Sequence, residues 1–176
     1  MRTIKTILIV CIILFQLEGV KAQNSEIIDV CRQGDTTALL NLISKHSELV
    51  NYTQSNGFTP LIIATYNSQY RVAEILVTNG ANVNAQDKSG NTALMGICFK
   101  GNLDLAKLLI THNADVNVLN YNQANALIFA STFGHTKTAK LLLEHKANKN
   151  QKDNTGKTAL DHASIQGNEE IIQLLK

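Results

Sequence analysis

The sequence is thin in the residues that announce most chemistries. It holds no tryptophan, one proline and three cysteines in 176 residues, and aromatic side chains make up 5%. No His-x-x-x-His or Cys-x-x-Cys pair occurs, so the short spacings that hold a zinc ion are absent. His46, His112, His135, His145 and His162 are scattered. There is no nucleophile elbow and no phosphate loop. The remaining Asp, His and Ser side chains read as caps and solvated surface, and neither catalysis, a metal ion nor a cofactor is expected.

Long apolar runs are also missing. The longest, Ile7 to Leu17, spans 11 residues, well under the roughly 20 of a membrane span. Arg2 and Lys5 precede it, and Val20-Lys21-Ala22 places small residues at the −3 and −1 positions of a cleavage site. That order describes a secretory signal peptide over 1–22, with an uncleaved N-terminal anchor as the alternative. Cys11 sits inside the run after Val10, which disfavours a lipid anchor there. The leader resembles bacterial export signals, and its Ala-Gln junction suits a periplasmic or secreted protein of a Gram-negative cell. In a eukaryotic secreted chain, Asn51-Tyr52-Thr53 would be a glycosylation acceptor. Once the leader is removed, no membrane contact is expected.

Excess charge is the last absence. The leader carries Arg2, Lys5 and Lys21 against Glu18, which leaves 13 of 16 basic and 13 of 14 acidic residues in 23–176. A net charge of zero disfavours nucleic acid and other polyanions as partners.

What is present is a repetition. GFTPLIIATYNSQ at 57–69, GNTALMGICFKGN at 90–102, QANALIFASTFGH at 123–135 and GKTALDHASIQGN at 156–168 share one outline, with a constant shift of 33. Leu61, Leu94, Leu127 and Leu160 fall in register, as do Ala81, Ala114 and Ala147, and Asn84, Asn117 and Asn150. A strict period of this length marks stacked units, each unable to bury its leucines alone. Within each unit Thr59, Thr92, Asn125 and Thr158 read as N-caps, and Pro60 as a first helical residue. Gly101, Gly134 and Gly167 close the first helix. The second helix carries Ile75-Leu76, Leu108-Leu109, Leu141-Leu142 and Leu174-Leu175. Asn79-Gly80 ends it in the first copy; Asn113 and Lys146 take the glycine's place later, so the third copy is expected to close less well. Asp87-Lys88-Ser89-Gly90 is a turn between units.

The pattern TPL…A…G/N…LL…GA.VN at this spacing resembles the ankyrin repeat family over 54–176. A divergent opening unit at 24–53 follows it through Ile27, Val30, Gly34-Asp35, Leu39, Leu42 and Ile43. The resemblance implies an all-α ankyrin solenoid of helix–turn–helix units with short β-turn tips. Its repeats are 54–86, 87–119 and 120–152, between capping units at 24–53 and 153–176. In the last unit Asp161, His162, Ser164, Gln166, Glu169, Glu170 and Gln173 are expected to face water. The family's TPLH histidine is replaced by Ile62, Met95, Ile128 and Asp161, which puts its first-helix hydrogen bond in doubt. His135 fills a Gly-His position that such repeats use for a local hydrogen bond.

Packed helices lie about 8–10 Å apart, which separates Cys31 and Cys98, two units apart, by roughly 20 Å. A disulfide needs Cα atoms within about 7 Å. Both read as small first-helix residues; an intermolecular disulfide or redox thiol is the alternative.

Lys137, Lys140, Lys146, Lys149 and Lys152 stand against Glu144 alone in the third repeat. Repeat position places them on the back face, read as solvated; an acidic partner is the alternative. In this family partner contacts come from the turn tips and the exposed side of the first helix. Those positions here include Phe58, Lys88, Asn91, Tyr121 and Lys157 at the tips, and Tyr66, Asn67, Phe99, Lys100, Thr132, Phe133 and Ile165 on first helices. Phe58, Tyr66, Phe99, Tyr121 and Phe133 are five of the nine Phe and Tyr, and an exposed aromatic row marks a protein-binding surface. The expectation is a monomeric, non-catalytic module that binds a protein partner. Alternatives are an effector or immunity-type inhibitor of a foreign enzyme, and an accessory protein of an exported redox enzyme.

Overall fold

A computed structural model describes residues 25–176. The leader, its cleavage site and Cys11 lie outside the described residues. The chain begins there in helix α1, residues 25–33. It continues with α2 (Thr36–Lys45), a 3₁₀ turn (Ser47–Asn51), α3 (Pro60–Tyr66), α4 (Tyr70–Thr78), α5 (Ala93–Lys100), α6 (Leu103–Thr111), α7 (Ala126–Thr132), α8 (Thr136–Glu144), α9 (Ala159–Gln166) and α10 (Glu169–Leu175). Each helix has seven to ten residues, too short to persist alone in water. Tertiary packing therefore supplies their stability.

Local chemistry starts each unit. The side chains of Thr59, Thr92, Asn125 and Thr158 accept hydrogen bonds from the N–H groups of Ile62, Met95, Ile128 and Asp161. In the last copy Asp161 answers by accepting from the Thr158 N–H at 2.8 Å, completing a capping box. Pro60 occupies the first helical turn, where no N–H is missed.

First helices α3, α5, α7 and α9 touch in sequence, and so do second helices α2, α4, α6, α8 and α10. The result is two layers with leucine columns between them. Leu61, Leu94 and Leu127 are buried in the first layer; Leu76, Leu109, Leu142 and Leu175 are buried in the second. Leu160 is only half-buried, because no further unit covers α9 among the described residues. The opening unit joins the same core through Ile27, Val30, Cys31, Leu39 and Ile43.

Three sets of hydrogen bonds tie neighbouring units together. Asparagines form the first. The Asn51 side chain donates to Gly80 O and accepts from the Asn82 N–H. Asn84 bridges Asn113 O and the Asp115 N–H in the same way, and Asn117 bridges Lys146 O and the Asn148 N–H. The turn tips form the second, backbone to backbone: Lys88 N–H to Asn56 O, Tyr121 N–H to Ser89 O, and Asn154 N–H to Asn122 O. The third closes the ends of the first helices, with Gln69 donating to Arg32 O, Lys100 to Tyr66 O, and the His135 ring bonding to Phe99 O. The His135 contact therefore spans two units instead of staying local.

Two positive-φ positions matter to this stacking. Gly90 has φ 79°, and a Cβ there would come within 2.8 Å of the Tyr121 backbone nitrogen. Lys146 adopts φ 65°, a strained value for a side-chain-bearing residue. The expected looser closure of the third copy does not follow. Lys146 N–H reaches Leu143 O at 3.0 Å and Ala147 N–H reaches Leu142 O at 2.9 Å, matching the glycine-closed copy, where Gly80 N–H lies 3.3 Å from Val77 O. The cost is carried by the lysine backbone and not by lost hydrogen bonds.

Candidate functional site

The turn tips and the first helices together form one open groove. Its tip side is built by a column at the period of 33. The Asp87 carboxylate accepts from the N–H groups of Ser89 and Asn91, both at 2.8 Å. Asn120 accepts from Asn122 and Ala124, and Asp153 from Thr155 and Lys157. One side-chain oxygen thus folds each tip back on itself.

Four of the five aromatics expected in the row are exposed: Tyr66 at 55%, Phe99 at 42%, Tyr121 at 67% and Phe133 at 47%, with Ile165 at 64% further along. Phe99 and Phe133 meet edge to face with centroids 4.5 Å apart. Lys100 lies 4.3 Å from the Tyr66 ring centroid. Phe58 departs from the expectation. It is half-buried and packed against the core, at the position just before the Thr59 cap.

Several other expected contact residues are held by their own surroundings. Asn67 donates to Ile63 O at 2.8 Å, and Thr132 to Ile128 O at 2.8 Å. Asn91 donates to Asp87 and accepts from Asn120. Lys157 donates to the Thr155 hydroxyl at 3.1 Å and is half-buried, whereas Lys88 is exposed.

Two hollows divide the groove. The first, of about 370 Å³, is walled by Phe58, Ile62, Ile63, Tyr66, Met95, Phe99 and Phe129, with Asp87, Asn91, Thr92 and Gly96 completing it. The second, of about 360 Å³, is lined by Ile128, Phe129, Thr132 and Phe133 on one side and by Asn120, Asn122, Asp153, Asn154, Thr155 and His162 on the other. Gly96, Phe129, Asp153 and His162 are absent from the row expected from the sequence. The signal for Gly96 is its column: Ile63, Phe129 and His162 occupy the equivalent positions in the other copies.

His162, expected to face water, is half-buried. Its Nε2 lies 2.7 Å from Asp153 Oδ2, with side-chain exposures of 20% and 11%. Burial pushes the Asp153 carboxyl up. Hydrogen bonds from the Thr155 side chain, His162 and the N–H groups of Lys157 and Thr155 outweigh that and hold it well below the usual carboxylate range.

Cys31 and Cys98 are free and fully buried in the core. Burial pushes the Cys31 thiol up to about 12, and the Cys98 thiol higher still. Such thiols are poor nucleophiles.

Among the described residues no helix is long and apolar enough to cross a membrane, and no three His, Cys, Asp or Glu side chains gather as a metal site.

Comparison with known proteins agrees with this architecture. The family model of ankyrin repeats in three copies matches residues 8–87, 27–120, 76–153 and 94–176. Palmitoyltransferase akr1 of Emericella nidulans is 34% identical over 61 residues, which is 35% of this chain and 8% of that protein. Palmitoyltransferase AKR1 of Gibberella zeae is 33% identical over 64 residues, 36% of this chain and 9% of that protein. The chain thus spans less than a tenth of the length of these relatives.

Proposed function

Because the chain belongs to the ankyrin repeat family, we propose that it is an exported, non-catalytic module that binds a partner protein in the groove between its turn tips and first helices. The observation that carries this reading is the aromatic row. Tyr66, Phe99, Tyr121 and Phe133 remain well exposed in a chain with no tryptophan and few aromatics. Exposed aromatics beside preformed hollows supply contact area at low entropic cost. The match to palmitoyltransferases covers at most 64 residues of each, so acyl transfer is not part of the proposal. Nor is thiol redox chemistry, since both described cysteines are buried. Export rests on the leader at 1–22, and monomeric behaviour is part of the same proposal.

The test is crosslinking of the tagged full-length chain in its native compartment, beside a Tyr66→Ala/Phe99→Ala/Phe133→Ala variant. A partner captured by the first and lost with the second supports the groove. A partner kept by the variant moves the site to the lysine-rich back face. Turnover in a panel of hydrolase and redox substrates, abolished by one point mutation, would overturn the non-catalytic reading. Export is checked separately, by N-terminal sequencing of the exported chain, which is expected to begin at Gln23.

A further inference from the structure

Gly96 is the one glycine inside a helix among the described residues. Glycine is a poor choice there, since it destabilises a helix interior relative to alanine. Its usual justifications are missing. Gly96 is not among the positive-φ residues, and an added Cβ would meet no heavy atom within 4 Å. Neither backbone conformation nor crowding requires it. The equivalent positions carry Ile63, Phe129 and His162, so a side chain of that size at 96 would project into the first hollow. The second hollow reaches a similar volume differently, with Ala124 and Thr132 where the first has Phe58 and Tyr66, so only the first keeps its space open at the helix-interior position and walls it with aromatics.

The hollow is mostly apolar, with Asn91, Thr92 and Asp87 as its polar lining. Asp87 is its only charged lining residue. One carboxylate oxygen is taken by the N–H groups of Ser89 and Asn91. The other receives only a 3.3 Å contact from Asn91, and Asp87 forms no ion pair among the described residues. The ammonium of Lys100 is held by Tyr66, through its carbonyl and its ring. A negative group with spare acceptor capacity thus sits on the wall of an apolar socket.

We propose that this socket is the specificity-determining subsite of the groove. It takes one large apolar side chain (Phe, Leu or Met) from a partner protein's docking segment, while a Lys or Arg of the same segment meets Asp87. The proposal rests on the groove reading above and adds the chemistry of the partner. Charge complementarity selects the occupant: an apolar anchor alone would desolvate the second carboxylate oxygen and leave it only the 3.3 Å bond from Asn91, which is costly.

The test is selection of a random 12-residue peptide display library on the full-length chain. Selected peptides are then measured by fluorescence polarisation against single variants. Enriched peptides are expected to share a Phe, Leu or Met with a nearby Lys or Arg. Gly96→Ala should melt at a higher temperature, because it improves the helix, and should weaken the peptides less than Gly96→Phe does, because one methyl takes only a small part of the socket. Gly96→Phe should stay folded by circular dichroism and bind about tenfold or more weakly, the scale on which a filled pocket excludes an apolar group. Asp87→Asn keeps the turn, as Asn120 does one unit on, and should weaken binding about two- to fivefold with a flatter salt dependence. Peptides unmoved by Gly96→Phe but lost with Phe133→Ala would sink the socket and leave the groove standing. No enrichment, or peptides indifferent to both substitutions, would sink both. Self-association of the chain that Gly96→Phe abolishes would assign the socket to a second copy and overturn the partner proposed here.

Discussion

The two hollows of the groove lie on successive pairs of units built from the same helices and tips, yet their walls differ. The first is walled by Phe58, Ile62, Ile63, Tyr66, Met95 and Phe99, and its only charge is Asp87. In the second, Ala124, Thr132 and His162 stand where the first has Phe58, Tyr66 and Gly96, and the tips add Asn120, Asn122 and Asn154. Phe129 borders both. The core beneath does not change across this boundary: leucine recurs at 76, 109, 142 and 175, always buried. A period-33 array therefore separates two tasks. Columns between the helix layers hold the stack, and columns facing the groove are free to vary from one unit to the next.

The comparison predicts that core damage spreads to both hollows while groove changes stay local. The largest expected effect is Leu109→Ala. This fully buried leucine lies in α6, which touches α4, α5 and α8, so the loss should destabilise both ends by about 2–5 kcal/mol. Urea unfolding should remain one transition with a lower midpoint; two separated transitions would show that the ends fold independently. Next is Gly90→Ala, at the tip that joins the two hollows. A side chain at φ 79°, pressed on the Tyr121 backbone, should cost about 1–3 kcal/mol, read as a fall in melting temperature.

The smallest effect is confined to the polar end. Asp153→Asn retains the turn, as Asn120 shows, and removes the charge facing His162. Because the folded carboxyl titrates below its unfolded value, its contribution is fully present above the unfolded carboxylate range and fades as pH falls through the folded value. The variant should be about 1 kcal/mol less stable at neutral pH. The gap should narrow below about pH 4. A gap that widens in acid would contradict the sign.

Much of the scaffold is legible in the residues. The shift of 33 places the leucine columns, and Thr59, Thr92, Asn125 and Thr158 mark four helix starts that the structure keeps. These signals are local or strictly periodic. The groove is harder to read, because its properties arise between units. Asn67, Asn91 and Lys100 look free in sequence, yet they bond to Ile63 O, to Asp87 and Asn120, and to Tyr66 O. The His162 contact with Asp153 joins positions nine apart across a turn and a helix, a pairing that no periodicity announces. Gly96 is visible only as a missing side chain in a column, and its meaning depends on what surrounds the space.

The asparagine rungs, the tip rungs and the helix-end rungs have a mechanical consequence. At the junction between 54–86 and 87–119, contact is made through Asn84, through Lys88 N–H and through Lys100. At the next junction it is made through Asn117, Tyr121 N–H and His135. One attachment is a pivot and two are a hinge; three that do not share a line leave no axis to turn about. These two junctions sit directly under the aromatic row. The spacing of those aromatics is thus set by the stack itself, and in the binding proposed above little of the entropy of association need be spent on setting it.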